Sequence, residues 1–376
     1  MLSSDWWSQG GSPLTVGVEE EFILVDAAGL PVDAMELVLD GAVPVEVPLS
    51  GVLKPELFAC MVEVATHPFA SVTDAGDALV ALRAELVVRA AEHGLFVCAS
   101  GTHPLVDGVG RRLVENRRYA EIARQLDELM LLDEQLACGL HVHIGMPTAA
   151  LALEAAQQLT ALAPLFIALA ANSPWWHGQA GALASTRSEL QRRLPWAAYL
   201  PPDIDSAAYR ELDDSAHESP SGRLRWEVTP VPEHGTVEVR VMDVQHDPDQ
   251  TRALVALIQA ICAHVIDGDT LAIRPAPSVE RHNRWAALRD GSAAQFELPG
   301  RSELVAVPEL TRELVAAVTD AATDLGSLTD LANLEYLLAE NGALRQRRLA
   351  IAGGGAGLLA GLRLEASPVA PGRPGW

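Results

Sequence analysis

The sequence predicts an α+β fold: a central, mainly antiparallel β-sheet with helices packed around it. Three observations carry that expectation. Strand-like runs at 16–26, 138–145 and 235–243 lie far apart, separated by long stretches of helical periodicity. No Pro/Gly/Ser-rich linker divides the 376 residues, and no internal repeat is visible. Hydrophobic residues make up 49% of the chain, enough for one substantial core. One domain over 14–352 is therefore expected, between a flexible N-terminus (1–13) and a flexible Gly/Pro-rich tail (353–376).

The first strand is the run from Val16 to Asp26, which holds three consecutive acids, Glu19, Glu20 and Glu21. Side chains alternate along a strand, so Glu19 and Glu21 share one face and Glu20 points to the other. Val18, Phe22 and Leu24 line the second face, and the pattern reads as burial on both sides. Two buried carboxylates about 7 Å apart on one face need a proton, a basic group or a metal to compensate them. No basic residue lies within the run. On this stretch alone an edge strand with exposed acids remains open as the alternative.

Glu56 and Glu63 follow among apolar neighbours, seven residues apart, in a segment that looks β-like at 62–66. A helix over 74–93 has Asp74 as its expected N-cap and stops at His93-Gly94. Residues 95–99 read as a short buried strand, and 111–136 as a charged helix. Cys138–Gly145 then alternates, with His141 and His143 on one face and Leu140, Val142 and Ile144 on the other. Residues 155–176 carry no charge, but Gln, Thr, Asn and Pro164 interrupt them, so two buried helices meeting at Pro164 are expected rather than a membrane span. A loop is expected at 172–178 and a mobile, irregular segment at 187–222. The stretches 223–229 and 235–243 read as a hairpin. Its second arm puts Thr236, Glu238 and Arg240 on one face and three valines on the other. A helix capped by Asp247-Pro248 runs to about 266, and the remainder is largely helical to 352.

Composition narrows the function. A net charge of −23 excludes a surface for nucleic acid or anionic membrane, which need clustered Lys and Arg. Cys60, Cys98, Cys138 and Cys262 are scattered without metal-binding spacing and fit a reducing compartment. The first 13 residues lack the basic head and apolar core of a signal peptide, so a cytosolic location is expected. No phosphate-binding G-x-x-x-x-G-K-[ST] loop occurs. Three strands presenting Glu19 and Glu21, His141 and His143, and Glu238 and Arg240 make a carboxylate-rich floor. Its oxygen-dominated donors suit Mg²⁺ or Mn²⁺ better than zinc.

Several motifs give the pattern a family likeness. Gly17-Val18-Glu19-Glu20-Glu21-Phe22, Gly139-Leu140-His141-Val142-His143-Ile144-Gly145, Ala171-Asn172-Ser173-Pro174-Trp175-Trp176-His177-Gly178 and Gly235-Thr236-Val237-Glu238-Val239-Arg240 resemble the glutamate–cysteine ligase type 2 family, which includes carboxylate-amine ligases. Gly101-Thr102-His103-Pro104, Asn283-Arg284-Trp285 and Arg345-Gln346-Arg347 extend the likeness over 14–352. More distantly, G-x-E-x-E-F, H-V-H and E-x-R look like the glutamine synthetase core. The resemblance implies a funnel over the sheet, with ATP at one end, an amino-acid substrate at the other and metals between. It implies that Glu19, His141 and Glu238 hold one ion, and Glu21, Glu63 and Glu56 a second. Arg240 would stabilise the phosphoryl group, His143 would sit near the nucleotide, and Arg187 and Asn172 would bind substrate. Glu20 is expected to be dispensable. A homodimer is an expectation of the likeness alone.

The implied activity is ATP- and Mg²⁺-dependent carboxylate-amine ligation through an acyl phosphate, with weak glutamate–cysteine ligase activity. Two departures bear on substrate choice. The family's D-T-G-Y-A-S-Y-R stands here as Ala180-Gly181-Ala182-Leu183-Ala184-Ser185-Thr186-Arg187, and its D-V-R-P as Glu227-Val228-Thr229-Pro230. Losing an Arg from a carboxylate pocket costs ~2–5 kcal/mol when the partner charge stays buried. A non-catalytic binding module and a metal-dependent amidohydrolase built on His141 and His143 are the alternative readings.

Overall fold

The acid-rich run becomes the middle of the sheet. The computed structural model describes residue 7 and residues 12–194, 200–201, 204–217, 226–271 and 276–365. Its strands are β1 (Val16–Val25), β2 (Val45–Val47), β3 (Gly51–Pro55), β4 (Met61–Thr66), β5 (Phe96–Cys98) and β6 (Gly139–Gly145). A small separate hairpin, β7 (Trp175–Trp176) and β8 (Gln179–Ala180), precedes β9 (Val228–Val231) and β10 (Thr236–Asp243). A third pair, β11 (Gln295–Phe296) and β12 (Val305–Ala306), lies outside the main sheet. The main sheet runs β2-β3-β4-β1-β6-β10-β9, with β5 also pairing on β1, and each of these pairings is antiparallel. The expected sheet is therefore present, and β1 is a central strand rather than an edge.

Helices explain why β1 is apolar on its second face. After the single turn α1 (Met35–Val38), α2 (Val72–Glu92) packs on β1 and β4. Ser71, not Asp74, caps α2: its Oγ accepts from the Asp74 amide at 3.1 Å and donates to the Asp74 carboxylate at 2.7 Å. Asp74 thus sits inside the first turn as the second half of a reciprocal cap, which is why its sequence signal lay three residues late. The charged α3 (Arg117–Glu128) stands on the opposite side of the sheet. Two apolar helices, α4 (Ala149–Ala161) and α5 (Ala163–Ala170), meet at 58°, and both pack on β10. Among the described residues no single helix is long and apolar enough to cross a membrane.

Two short helices, α6 (Thr186–Gln191) and α7 (Ser206–His217), occupy part of the segment expected to be irregular. Ser185 supplies the start of α6, with its Oγ accepting from the Ser188 amide. Such caps are weak sequence signals when the helix has only six residues. The helix α8 (Pro248–Ile266) fits its expected bounds, and Asp247 caps it. It is apolar nearly all round because it lies behind β6 and against α2 and α4.

The C-terminal layer comprises α9 (Pro277–Asp290), α10 (Val307–Ala317), α11 (Thr319–Asp324), α12 (Leu328–Ala332), α13 (Leu334–Ala339) and α14 (Gly342–Gly361). Gly353–Gly357, expected to be a flexible segment, belongs to α14, which kinks at Gly354 with φ 61°. Packing overrides the glycine penalty here. Leu358 and Leu362 are buried, and the Leu364 amide donates to Val97 O at 2.8 Å, stitching the end of α14 to β5. The folded unit therefore extends past 352. At the other end Trp7 is buried and its indole N–H donates to Met146 O at 3.3 Å. The other residues of 1–11 and the tail from 366 lie outside the described residues.

Candidate active site

Strand register assembles the site. Glu63 of β4 stands opposite Glu21, Glu19 opposite His141, and Glu238 of β10 opposite His143. Directly paired residues share a face of the sheet. A diagonal of four acids and two imidazoles thus crosses the face away from α2 and α8, as the alternation predicted.

The tightest cluster is Glu19, His141 and Glu238, each offering a ligand atom within 4.8 Å of the others. His141 Nδ1 is 3.4 Å from Glu19 Oε2, and its Nε2 is 3.9 Å from Glu21 Oε1. His143 Nε2 lies 3.5 Å from Glu238 Oε1, and its Nδ1 3.1 Å from the Thr236 hydroxyl. Arg240 Nη1 pairs with Glu238 Oε1. Burial works against ionisation of Glu19, yet the His141 contact and the charges of His143 and Lys54 hold it below the usual carboxylate range. Burial likewise opposes charge on Glu238, but Arg240 and then His143 hold it well below that range. Desolvation, then Arg240, keeps His141 below its ordinary value, so it is neutral and able to ligate. Glu238 and Glu19 outweigh burial at His143 and raise it.

A hard divalent ion fits the trio. Ligand atoms around one octahedral ion at about 2.1 Å stand about 3–4 Å apart, a set that small side-chain adjustments reach from this cluster. The donor set of two carboxylates and one neutral imidazole has the same preference. Burial, and next the charge of Glu19, push Glu63 well above its usual value, the mark of a floor with more carboxylates than cations.

The second expected set is less gathered. Glu21, Glu56 and Glu63 face the same region, but among the described residues they do not form a cluster as tight as the trio. Glu21 Oε2 accepts from the Gly139 amide at 2.6 Å, Glu56 accepts from the Leu57 amide, and Glu63 lies 2.7 Å from Lys54 Nζ. Each acid is drawn to a local partner.

Beside this floor opens a cleft lined by Glu21, Glu56, His141, Arg187 and Arg240 on its polar side. Leu57, Met61, Tyr119, Ile122, Leu126 and Trp226 form the apolar wall. Arg187 is 3% exposed, donates from Nη1 to Arg240 O at 3.3 Å, and has a buried Nε without a hydrogen-bond partner among the described residues. It reaches the cleft because Gly139 lacks a side chain: a Cβ there would lie 2.1 Å from Arg187 Nη2 and 3.0 Å from His141 Nε2. Gly139→Ala is therefore expected to destabilise the fold by about 1–3 kcal/mol, the usual cost of overpacking, measured as a lower urea midpoint. In an Arg187→Ala background the same methyl should cost much less; an equal cost in both backgrounds would rule out this clash.

Asn172 departs from expectation. It is buried, and its side-chain amide donates to Val244 O at 2.8 Å while its Oδ1 accepts from Gln346 at 2.8 Å. Its backbone N–H donates to Asp243 Oδ2 at 2.8 Å, as does Ser173 Oγ at 2.7 Å, and Ser185 Oγ donates to Asp243 Oδ1 at 2.9 Å. Asn172 is a scaffold residue that fixes the tryptophan segment and α6, and through α6 Arg187. Gln346, from the Arg345-Gln346-Arg347 motif, serves the same scaffold.

Glu20 points to the opposite face, as the alternation requires, where Arg83 Nε and Nη2 donate to its two oxygens at 2.7 and 2.6 Å. Its expected dispensability concerns the chemistry; the fold depends on it, because Glu20 is fully buried and also accepts from Thr251 Oγ1 at 2.7 Å.

Sequence reasoning missed three contributors. Tyr209 on α7 donates to Pro230 O at 2.7 Å and contacts Thr229 Oγ1 at 3.2 Å, so it occupies space beside the position where the family carries Arg. Arg284 is fully buried and forks onto Glu227 at 2.8 and 2.6 Å, fixing the strand opposite β10. Lys54 sits on the floor itself, 3.4 Å from Glu19. One signal for Lys54 was available: it is the sole lysine in the chain.

Comparisons with known proteins agree with this geometry. The model of Glutamate-cysteine ligase family 2 (GCS2) matches residues 15–358. A glutamate–cysteine ligase of Haloquadratum walsbyi is 35% identical over 346 residues, spanning 89% of this chain and 91% of that protein. One from Natronomonas pharaonis is 35% identical over 345 residues, with 89% and 91% covered. The crystal structure of glutamate–cysteine ligase from Francisella tularensis in complex with AMP has a TM-score of 0.67 at 12% identity, covering 94% of this chain and 88% of that chain. A bifunctional glutathione synthetase from Pasteurella multocida gives 0.63 at 14% identity, covering 93% and 52%. These structural likenesses establish a shared fold.

Proposed function

The chain belongs to glutamate-cysteine ligase family 2, and from that premise we propose that it is an ATP-dependent carboxylate-amine ligase working through an acyl phosphate. The observation that carries this reading is the convergence of Glu19, His141 and Glu238, with Arg240 on Glu238, at the mouth of a cleft that Arg187 enters. Mg²⁺ or Mn²⁺ bound there would supply charge neutralisation for crowded phosphate oxygens.

Each chain residue then has a role. Arg240 offers a planar fork of donors to the phosphoryl group as charge spreads over its oxygens. Its pairing with Glu238 fixes it before substrate arrives, so no reorganisation is needed during the reaction. Arg187, on the cleft wall, receives the substrate carboxylate that does not react. The reacting carboxylate oxygen attacks the γ-phosphorus and ADP leaves. The amine nitrogen next attacks the acyl carbon, loses a proton, and phosphate departs. Leu57, Met61, Tyr119, Ile122 and Trp226 keep water from the acyl phosphate, which would otherwise hydrolyse.

The replaced 180–186 segment and Thr229 direct the site toward an acid–amine pair other than glutamate and cysteine, with weak activity on that pair. The same reading carries a cytosolic enzyme and a homodimer. Incubation with ATP, Mg²⁺ and a panel of acids and amines tests the proposal by ADP and phosphate release. ADP release should require both an acid and an amine. Tight ATP binding with no turnover on any pair would favour a binding module, and amide hydrolysis without ATP would favour the amidohydrolase.

A further inference from the structure

Basic residues are unevenly chosen in this chain: 26 of its 27 Lys and Arg residues are arginine, and the one lysine, Lys54, stands on the carboxylate floor. Register puts it there. Lys54 of β3 is opposite Glu63, and Glu63 is opposite Glu21, so the three form one row across three strands. Lys54 Nζ is 2.7 Å from Glu63 Oε1 and 3.4 Å from Glu19 Oε1.

The two oxygens of Glu19 are therefore divided. Oε2 faces His141 at 3.4 Å, and Oε1 faces the ammonium at 3.4 Å. An ion held by Glu19 Oε2, His141 and Glu238 leaves the Lys54 contact in place. An ion on the Glu21–Glu56–Glu63 side meets Lys54 already bound to Glu63 Oε1. It must displace the ammonium or endure its repulsion, since like charges a few ångströms apart in a partly buried site repel strongly. Arginine would not serve equally, because its wide fork cannot act as a compact point charge between two carboxylates on adjacent strands.

We propose that Lys54 is a tethered cation that holds the floor together before metal loads and makes the ion on the Glu63 side the weaker and later one. This rests on reading the floor as a metal site under the proposed function. The two ions would then load in order, the first at Glu19–His141–Glu238 and the second only as Lys54 swings away from Glu63.

The test is a Mn²⁺ titration of the full chain, followed by electron paramagnetic resonance of free Mn²⁺, comparing the natural protein with Lys54→Met and Lys54→Arg. The natural protein should show a tight and a weak class of site. Lys54→Met should tighten the weak class by about tenfold or more, leave the tight class nearly unchanged, and keep the natural circular dichroism. Lys54→Arg should retain two unequal classes. Equal affinities in Lys54→Met and the natural protein would overturn the proposal and leave the metal reading intact. Absence of Mn²⁺ binding in the natural protein would overturn both.

A second measurement needs no variant. Because Lys54 is the only lysine, its reductive methylation can be followed by mass spectrometry of one peptide. Labelling should speed up several-fold at saturating Mn²⁺ as Lys54 leaves Glu63. Unchanged or slower labelling would overturn the displacement.

Discussion

Glu238→Gln should abolish acid- and amine-dependent ADP release, lowering turnover by about 10³-fold or more. The substitution keeps the shape of the side chain and removes only its charge. That charge serves three groups at once: it belongs to the trio with Glu19 and His141, it fixes Arg240, and it faces His143 at 3.5 Å. Glu238 is 2% exposed, so water cannot replace what the carboxylate supplies. Without it, Arg240 loses the partner that holds its fork toward the cleft, and the ion site keeps one carboxylate of two. The natural and variant proteins are compared with the best acid–amine pair from the panel, with the thermal midpoint measured alongside. A variant that folds normally and retains turnover within tenfold of the natural protein would remove Glu238 from the chemistry.

The parts of this site that follow a period of two were legible in the sequence. Glu19 against Glu20, His141 against Val142, and Glu238 against Val239 sort onto faces by alternation alone. Burial on both sides of β1 was also readable, because no position in the run is consistently polar on one face. What alternation cannot supply is the pairing of strands. Lys54 lies nine residues from Glu63 along the chain, but its meaning depends on β3 pairing with β4 and β4 with β1. The looser gathering of the second acid set has the same origin, since an amide and an ammonium from neighbouring strands hold Glu21 and Glu63.

Asn172 illustrates a different limit. A buried side-chain amide that ties together residues 99, 244 and 346 and an amide that binds substrate look identical in one sequence. Only the positions of its partners separate them. Gly353–Gly357 misled in the opposite direction: its composition is that of a linker, whereas the leucines beyond it bring α14 back onto β5. In both cases long-range packing overrode a local signal.

The Glu20–Arg83 pair carries the largest expected effect on stability. Glu20→Ala leaves the Arg83 guanidinium buried, with no carboxylate partner and with hydrogen bonds only to the Gln245 and His246 carbonyls and Thr251. Breaking one side of a buried ion pair costs about 3–5 kcal/mol, which for a chain of this size lowers the thermal midpoint by about 4–6 °C. The pair joins β1 to α2 and, through Thr251, to α8, so its loss loosens the strand that carries Glu19 and Glu21. Replacing both residues together, as Glu20→Leu with Arg83→Leu, should recover much of the loss, because an apolar pair leaves no charge stranded in the core. Turnover measured well below the midpoint should stay within a few-fold of natural in Glu20→Gln, since this carboxylate faces away from the cleft. A Glu20→Gln protein with an unchanged midpoint and no turnover would show that β1 runs in a different register, with Glu20 rather than Glu19 and Glu21 facing the site.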